Sequence, residues 1–194
     1  MRRATLPSFL PRLARLLVVL WLAAQGFVQA QGVELSVLEL RLSEGALTLD
    51  FSARLTLSRP LEDALRRGVP MYFHTEARLY RSRWYWRDER VARVSRSYRL
   101  SYQPLTASWR VGLGGLAQSF QSLSDALTVI ARLSGWQLAE AAQLEPGERY
   151  YVEFSYRLDN SQLPQPMQIG LGSEWSLGIE RTLRVDERVR ESAQ

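Results

Sequence analysis

The chain has 194 residues, with 25 basic and 20 acidic side chains, a formal charge of +5 and no cysteine. That length suits one domain, and the missing thiols exclude disulfides, zinc–thiolate centres and cysteine nucleophiles together. A pI near 10.0 invites a nucleic-acid reading, but the distribution of the charge argues against it.

Residues 1–15, MRRATLPSFLPRLAR, carry four arginines (Arg2, Arg3, Arg12, Arg15) and no acid. An apolar run from Leu16 to Val28 follows, broken only by Gln25 and Gly26, and Val28-Gln29-Ala30 is a small-residue exit. This is the pattern of a secretory signal over residues 1–30, and the run is short of the roughly 20 residues that span a bilayer. The expected address is periplasmic, with no membrane span after cleavage. An uncleaved N-terminal anchor is the competing reading. Every basic residue is arginine, and four leave with the signal. From Gln31 onward 21 arginines face 20 acids, a net of +1. Residues 78–102 hold eight arginines against Asp88 and Glu89, a net of +6, and the remainder is −5. The exported chain is near neutral with one basic segment, so nucleic acid is not an expected partner.

One domain is expected over residues 31–186, with a charged tail at 187–194. Period-two alternation dominates it. Val33, Leu35 and Val37 change parity to Leu38, Leu40 and Leu42, which predicts a β-bulge near Val37. Ser43-Glu44-Gly45 is a tight connection to a strand with Leu47, Leu49, Phe51, Ala53, Leu55 and Leu57 on one face. Pro60–Arg67 reads as a short helix, with acids in its first turn, arginines in its last and Gly68 beyond it. A third strand runs through Met71, Phe73, Thr75, Ala77 and Leu79. A fourth covers Arg90–Tyr102 and pairs with it across a turn at Arg87–Arg90. Ala107–Leu113 is a fifth. Gly112–Gly115 reads as a strand-to-helix turn. Phe120, Leu123, Leu127 and Ile130 then fall at helical spacing, with Ser122 as N-cap and Gly135 as the helix end. Trp136–Ala139 is a short strand, and Pro146-Gly147 turns the chain into the alternation of Tyr150–Leu158. Leu163–Pro166 is a loop or edge. A closing strand runs from Trp175 to Val185, interrupted at Arg181. The sum is an all-β, Ig-like antiparallel β-sandwich of seven or eight strands with two helices in its connections. A closed barrel is the alternative.

Several segments, in this order, resemble a known family: RWYWRDERV (Arg83–Val91), RLSYQPLTASWRV (Arg99–Val111), SLSDAL (Ser122–Leu127) and LDNSQLPQP (Leu158–Pro166). With the arginine-rich leader and EDALRRGVPMYF (Glu62–Phe73), the chain resembles the proteobacterial domain-of-unknown-function family numbered 4390. The resemblance implies an exported envelope protein without an assigned activity, and it carries no catalytic residues. It also implies a partner of the membrane sensor histidine kinase type, through gene neighbourhood.

Residues that could carry chemistry are sparse. His74 is the single histidine, and His74-x-Glu76 reads as a solvated pair on a strand face, too few ligands for a metal. No G-x-S-x-G occurs and no serine partner for His74 is evident. Asp50, Glu76, Glu153 and Asp159 are separate acids on separate strands. No cofactor, metal or catalytic residue is expected. The remaining signal is Arg81, Arg83, Trp84, Trp86, Arg87 and Arg90. Arginine binds anions bidentately and tryptophan supplies contact area, so these six suit an acidic partner or an anionic envelope polymer. The competing reading puts both tryptophans in the core, since residues two apart on a strand share a face. The expected function is a non-catalytic interaction module, which the resemblance sets beside an envelope sensor, and the alternative is a carrier of an apolar or anionic ligand in an interior cavity.

Overall fold

The alternation seen in the sequence becomes two antiparallel sheets in the computed structural model, which describes residues 32–162 and 177–185. The expected signal (1–30), the Leu163–Pro166 segment, Trp175 and the tail from residue 186 lie outside the described residues.

The first hairpin joins β1 (Gly32–Ser43) to β2 (Ala46–Thr56). Glu44 and Gly45 form its two-residue turn with φ of 52° and 76°. Both left-handed values match the twist of the flanking strands. The bulge expected near Val37 is there, as a register shift between Leu35 and Val37 opposite Ala53 and Ser52. It reverses the parity of β1, so Leu40 and Leu42 turn into the core.

Ser58 caps helix α1 (Arg59–Arg66), accepting a hydrogen bond from the Leu61 amide, and Gly68 beyond its end has φ 88°. Leu61, Ala64 and Leu65 form its buried face. Strands β3 (Met71–Arg81) and β4 (Glu89–Gln103) pair antiparallel along their length, and β5 (Ser108–Leu113) pairs with β4. The glycines after β5 do not lead into a helix. Gly114 and Gly115, with φ of 55° and 89°, make a second two-residue hairpin to β6 (Leu116–Phe120). That strand lies on the sheet's edge with four of its five residues exposed, so it carries no in-out alternation for a sequence reading to detect.

Helix α2 (Leu123–Ile130) starts where expected, with the Ser122 hydroxyl accepting from the Asp125 amide at 3.1 Å. It ends at Ile130 rather than Gly135. Gly135, φ 60°, instead sits inside β7 (Arg132–Glu140) at a register break between Leu49 and Phe51 of β2. There Asp50 accepts hydrogen bonds from the Gly135 amide (2.7 Å) and the Ser134 hydroxyl (3.1 Å). A helix end and a bulge both use a left-handed glycine, so the residue alone does not distinguish them. Strands β8 (Tyr150–Leu158) and β9 (Gly178–Arg184) complete the structure, and Arg181 lies within β9 without interrupting it.

Nine strands are therefore present among the described residues, against seven or eight expected. They form sheets ordered β1-β2-β7 and β6-β5-β4-β3-β8-β9. The sheets end on edge strands, so the structure is a sandwich rather than a closed barrel. Phe51 of the small sheet meets Phe154 and Tyr156 of the large one, with ring centroids 4.9 and 5.2 Å apart, and the Arg96 guanidinium lies 5.7 Å from the Trp136 ring. Buried aromatic and leucine side chains from both sheets fill the space between them. No helix among the described residues is long and apolar enough to cross a membrane.

Candidate functional site

The β3–β4 hairpin carries the segment singled out by its arginines and tryptophans. The register ends at Arg81 opposite Glu89, leaving Ser82–Asp88 as a loop. The chain leaves the ladder because other groups take its polar atoms. The Ser82 amide donates to the Arg149 carbonyl at 2.8 Å, and the Arg83 amide donates to Asp88 Oδ1 at 3.0 Å. The other Asp88 oxygen accepts from the Tyr151 hydroxyl at 2.7 Å, and Tyr151 stacks on Tyr80 with centroids 5.3 Å apart. Glu89 accepts from Arg81 Nε at 3.1 Å and from Arg83, while Arg81 Nη1 reaches Glu145 at 2.6 Å. Charge follows these contacts. The Arg83 amide and then Tyr151 hold the Asp88 carboxyl below its ordinary range, and Arg81 does the same for Glu89. Burial, then the Asp88 carboxylate, push the Tyr151 phenol up to about 12.

Above this neck the side chains are left to solvent. Trp84 is 94% exposed, Tyr85 67% and Trp86 75%. Trp84 and Tyr85 meet edge to face, 5.2 Å between centroids. Arg87 and Arg90 are exposed and make no ion pair among the described residues. The six expected residues thus divide in two. Arg81 and Arg83 clamp the neck, whereas Trp84, Trp86 and Arg87 form the apex, with Arg90 beside it at the start of β4. The tryptophans lie in a loop, not a strand, and are not core residues. Tyr85 joins them as a third aromatic from the run Arg83-Trp84-Tyr85-Trp86-Arg87, because in a loop neighbouring side chains are not sent to opposite faces as they are in a strand.

A second arginine cluster lies on the outer face of the same sheet, and here the expectation of a solvated His74–Glu76 pair is wrong. Glu76 is 2% exposed. Its register neighbours are Ser95 and Ser155, small enough for longer side chains to fold over it. Arg93 Nη2 donates to Oε2 at 3.1 Å and its Nε lies 2.8 Å from Oε1, Arg78 Nε donates to Oε1, and His74 Nε2 lies 3.4 Å from Oε2. Burial raises the Glu76 pKa, but the hydrogen bonds from Arg78, Arg93 and His74 outweigh it and hold the carboxyl at about 2. The register also supplies the serine partner that the sequence did not reveal: Ser97 Oγ is 2.9 Å from His74 Nδ1. In a Ser–His–acid relay the acid stabilises the imidazolium. Two guanidinium groups already match the Glu76 charge, so the arrangement works as a clasp across β3 and β4.

The other acids are dispersed. Asp50 caps the β7 bulge, Asp159 accepts from Ser161, and Glu153 is 4.0 Å from Arg78. Glu76 and Glu153 line an open groove of about 370 Å³ with Arg78, Arg157 and Glu180 on the outer face of β3, β8 and β9. A groove of about 420 Å³ lies between β2 and α2. Both open on the surface rather than between the sheets. Among the described residues no three His, Asp or Glu side chains are grouped to hold a metal.

A family model described as "Domain of unknown function (DUF4390)" matches residues 30–184. No curated protein and no solved structure matches the chain.

Proposed function

The chain belongs to the family DUF4390, whose model spans most of its length, and on that premise we propose that it is an exported, periplasmic, non-catalytic interaction module. The observation that carries this reading is the apex of the β3–β4 loop. Three consecutive large aromatic side chains stand in water there, on a neck fixed by Asp88, Glu89 and Tyr151. Large exposed aromatic groups mark contact surfaces, and a loop already held in place gives up little entropy on binding. The arginine-rich leader with its apolar run supports export, and an envelope or inner-membrane component, such as a sensor kinase, supplies the setting. The filled space between the sheets supports this reading over an interior ligand carrier.

In-vivo crosslinking and pull-down from envelope fractions tests the module. Wild type is compared with Trp84→Ser/Trp86→Ser/Arg87→Ser, which leaves Arg81 and Arg83 in the neck untouched. The expected result is an envelope component captured by wild type and lost by a variant with an unchanged melting curve. Equal capture by both sinks the assignment to this loop.

A further inference from the structure

We propose that the surface met by the β3–β4 apex is a bilayer carrying anionic phospholipid, with Trp84, Tyr85 and Trp86 seated at headgroup depth and Arg87 and Arg90 on the phosphates. This rests on reading the apex as the contact surface and names what it contacts.

The chemistry of the apex favours lipid over protein in three respects. Indole and phenol rings are amphipathic and concentrate where hydrocarbon meets water, and here three stand side by side with 67–94% of their surface free. A protein hot spot lies at the centre of a patch whose rim excludes water. These rings instead lie in the Ser82–Asp88 loop, flanked by the half-buried Arg83 and the exposed Arg87, and no other apolar side chain belongs to that loop.

Charge is sorted as an anionic surface requires. Asp88 and Glu89 are the only acids of residues 78–102. Asp88 is turned back onto the Arg83 amide and Tyr151, and Glu89 onto Arg81 and Arg83. The charges left facing outward beside the rings are Arg87 and Arg90. Arginine at this position reaches phosphate oxygens in a planar fork, and basic side chains near anionic headgroups add attraction that falls within a Debye length. The opposite end of β4 provides the contrast. Its turn exposes Leu105, fully, between Pro104 and Thr106, with no aromatic or arginine neighbour in that turn.

The absence of native cysteine permits a single reporter. Full-length chain with Tyr85→Cys carries an environment-sensitive fluorophore and is mixed with vesicles of phosphatidylglycerol and phosphatidylethanolamine, or of phosphatidylcholine alone. Lipids bearing quenchers at the headgroup or mid-chain read depth at the loop itself, whatever other segment touches the vesicle. A Leu105→Cys reporter serves as reference. The proposal expects a blue shift and headgroup-level quenching at position 85 on the anionic vesicles alone, and a water-exposed reporter at position 105. Adding Arg87→Ser/Arg90→Ser, or raising salt to about 0.5 M, is expected to weaken the position-85 signal about tenfold. A position-85 reporter that stays in water, or equal insertion at both positions, overturns the proposal. If position 85 stays in water yet crosslinks a single envelope protein, the lipid assignment falls while the apex remains a contact surface. If it does neither, both fall.

Discussion

Two arginine clusters sit on one hairpin, and they have opposite fates. Arg78 and Arg93 converge on a carboxylate that is 2% exposed, while Arg87 and Arg90 meet no acid among the described residues. The difference is not in residue type. It comes from pairing register, which sets Glu76 between Ser95 and Ser155 and leaves room for two guanidiniums to close over it. In the loop the two acids are spent on the neck. Arginine therefore holds the sheet face together in one place and is left available in the other, and the available group is the one beside three exposed rings.

The largest effect should come from the clasp. Glu76→Gln removes the charge that Arg78, Arg93 and His74 surround; the carboxylate is buried but both guanidiniums keep contact with water, so the loss is about 2 kcal/mol. A thermal melt should drop by roughly 4–8 °C for a chain of this size. If the melt barely moves, the clasp is ornamental and the contrast between the clusters disappears.

Acid should sharpen the same point. The carboxyl sits near 2 in the folded chain against an ordinary 4.5, so its contribution is complete above about pH 4.5 and fades as pH falls toward 2. Denaturant midpoints across pH 5 to 2.5 should decline in the wild type, with part of that decline missing in Glu76→Gln. Parallel curves would assign the acid loss to other carboxylates.

The neck should respond less. Tyr151→Phe deletes the hydroxyl that donates to Asp88 and should cost about 1 kcal/mol, with faster hydrogen exchange at the Arg83 amide. Unchanged exchange would mean that Asp88 alone positions the loop.

The apex should matter least to folding. Trp84→Ser/Trp86→Ser removes side chains that lie 94% and 75% in water, and the melting free energy should stay within about 0.5 kcal/mol. A larger loss would show that the rings support the fold and would remove the reason for treating them as a contact surface.

Much of the fold was legible because burial imposes a period of two. The first hairpin, the bulge in β1, the Ser122 helix cap and the β8 alternation all follow from local pattern. Misreadings arose where one local signal serves two structures. Gly135 suits a helix end or a bulge, Gly114-Gly115 suits a strand-to-helix turn or a hairpin, and exposed β6 shows no alternation at all. At the candidate site the sequence marked the right stretch. It could not divide it into neck and apex, because Tyr151 and Glu145 approach from residues more than fifty positions away.

By itself, then, the sequence determined the all-β class, the family, the polarised charge and the arginine–tryptophan segment, since composition and periodicity are properties of the chain. Tertiary structure decided which arginines are paired and which meet no acid among the described residues, that Glu76 is buried and ionised, and that the tryptophans stand in water. Those outcomes depend on which strands become neighbours and in what register, and only the folded sheet sets that.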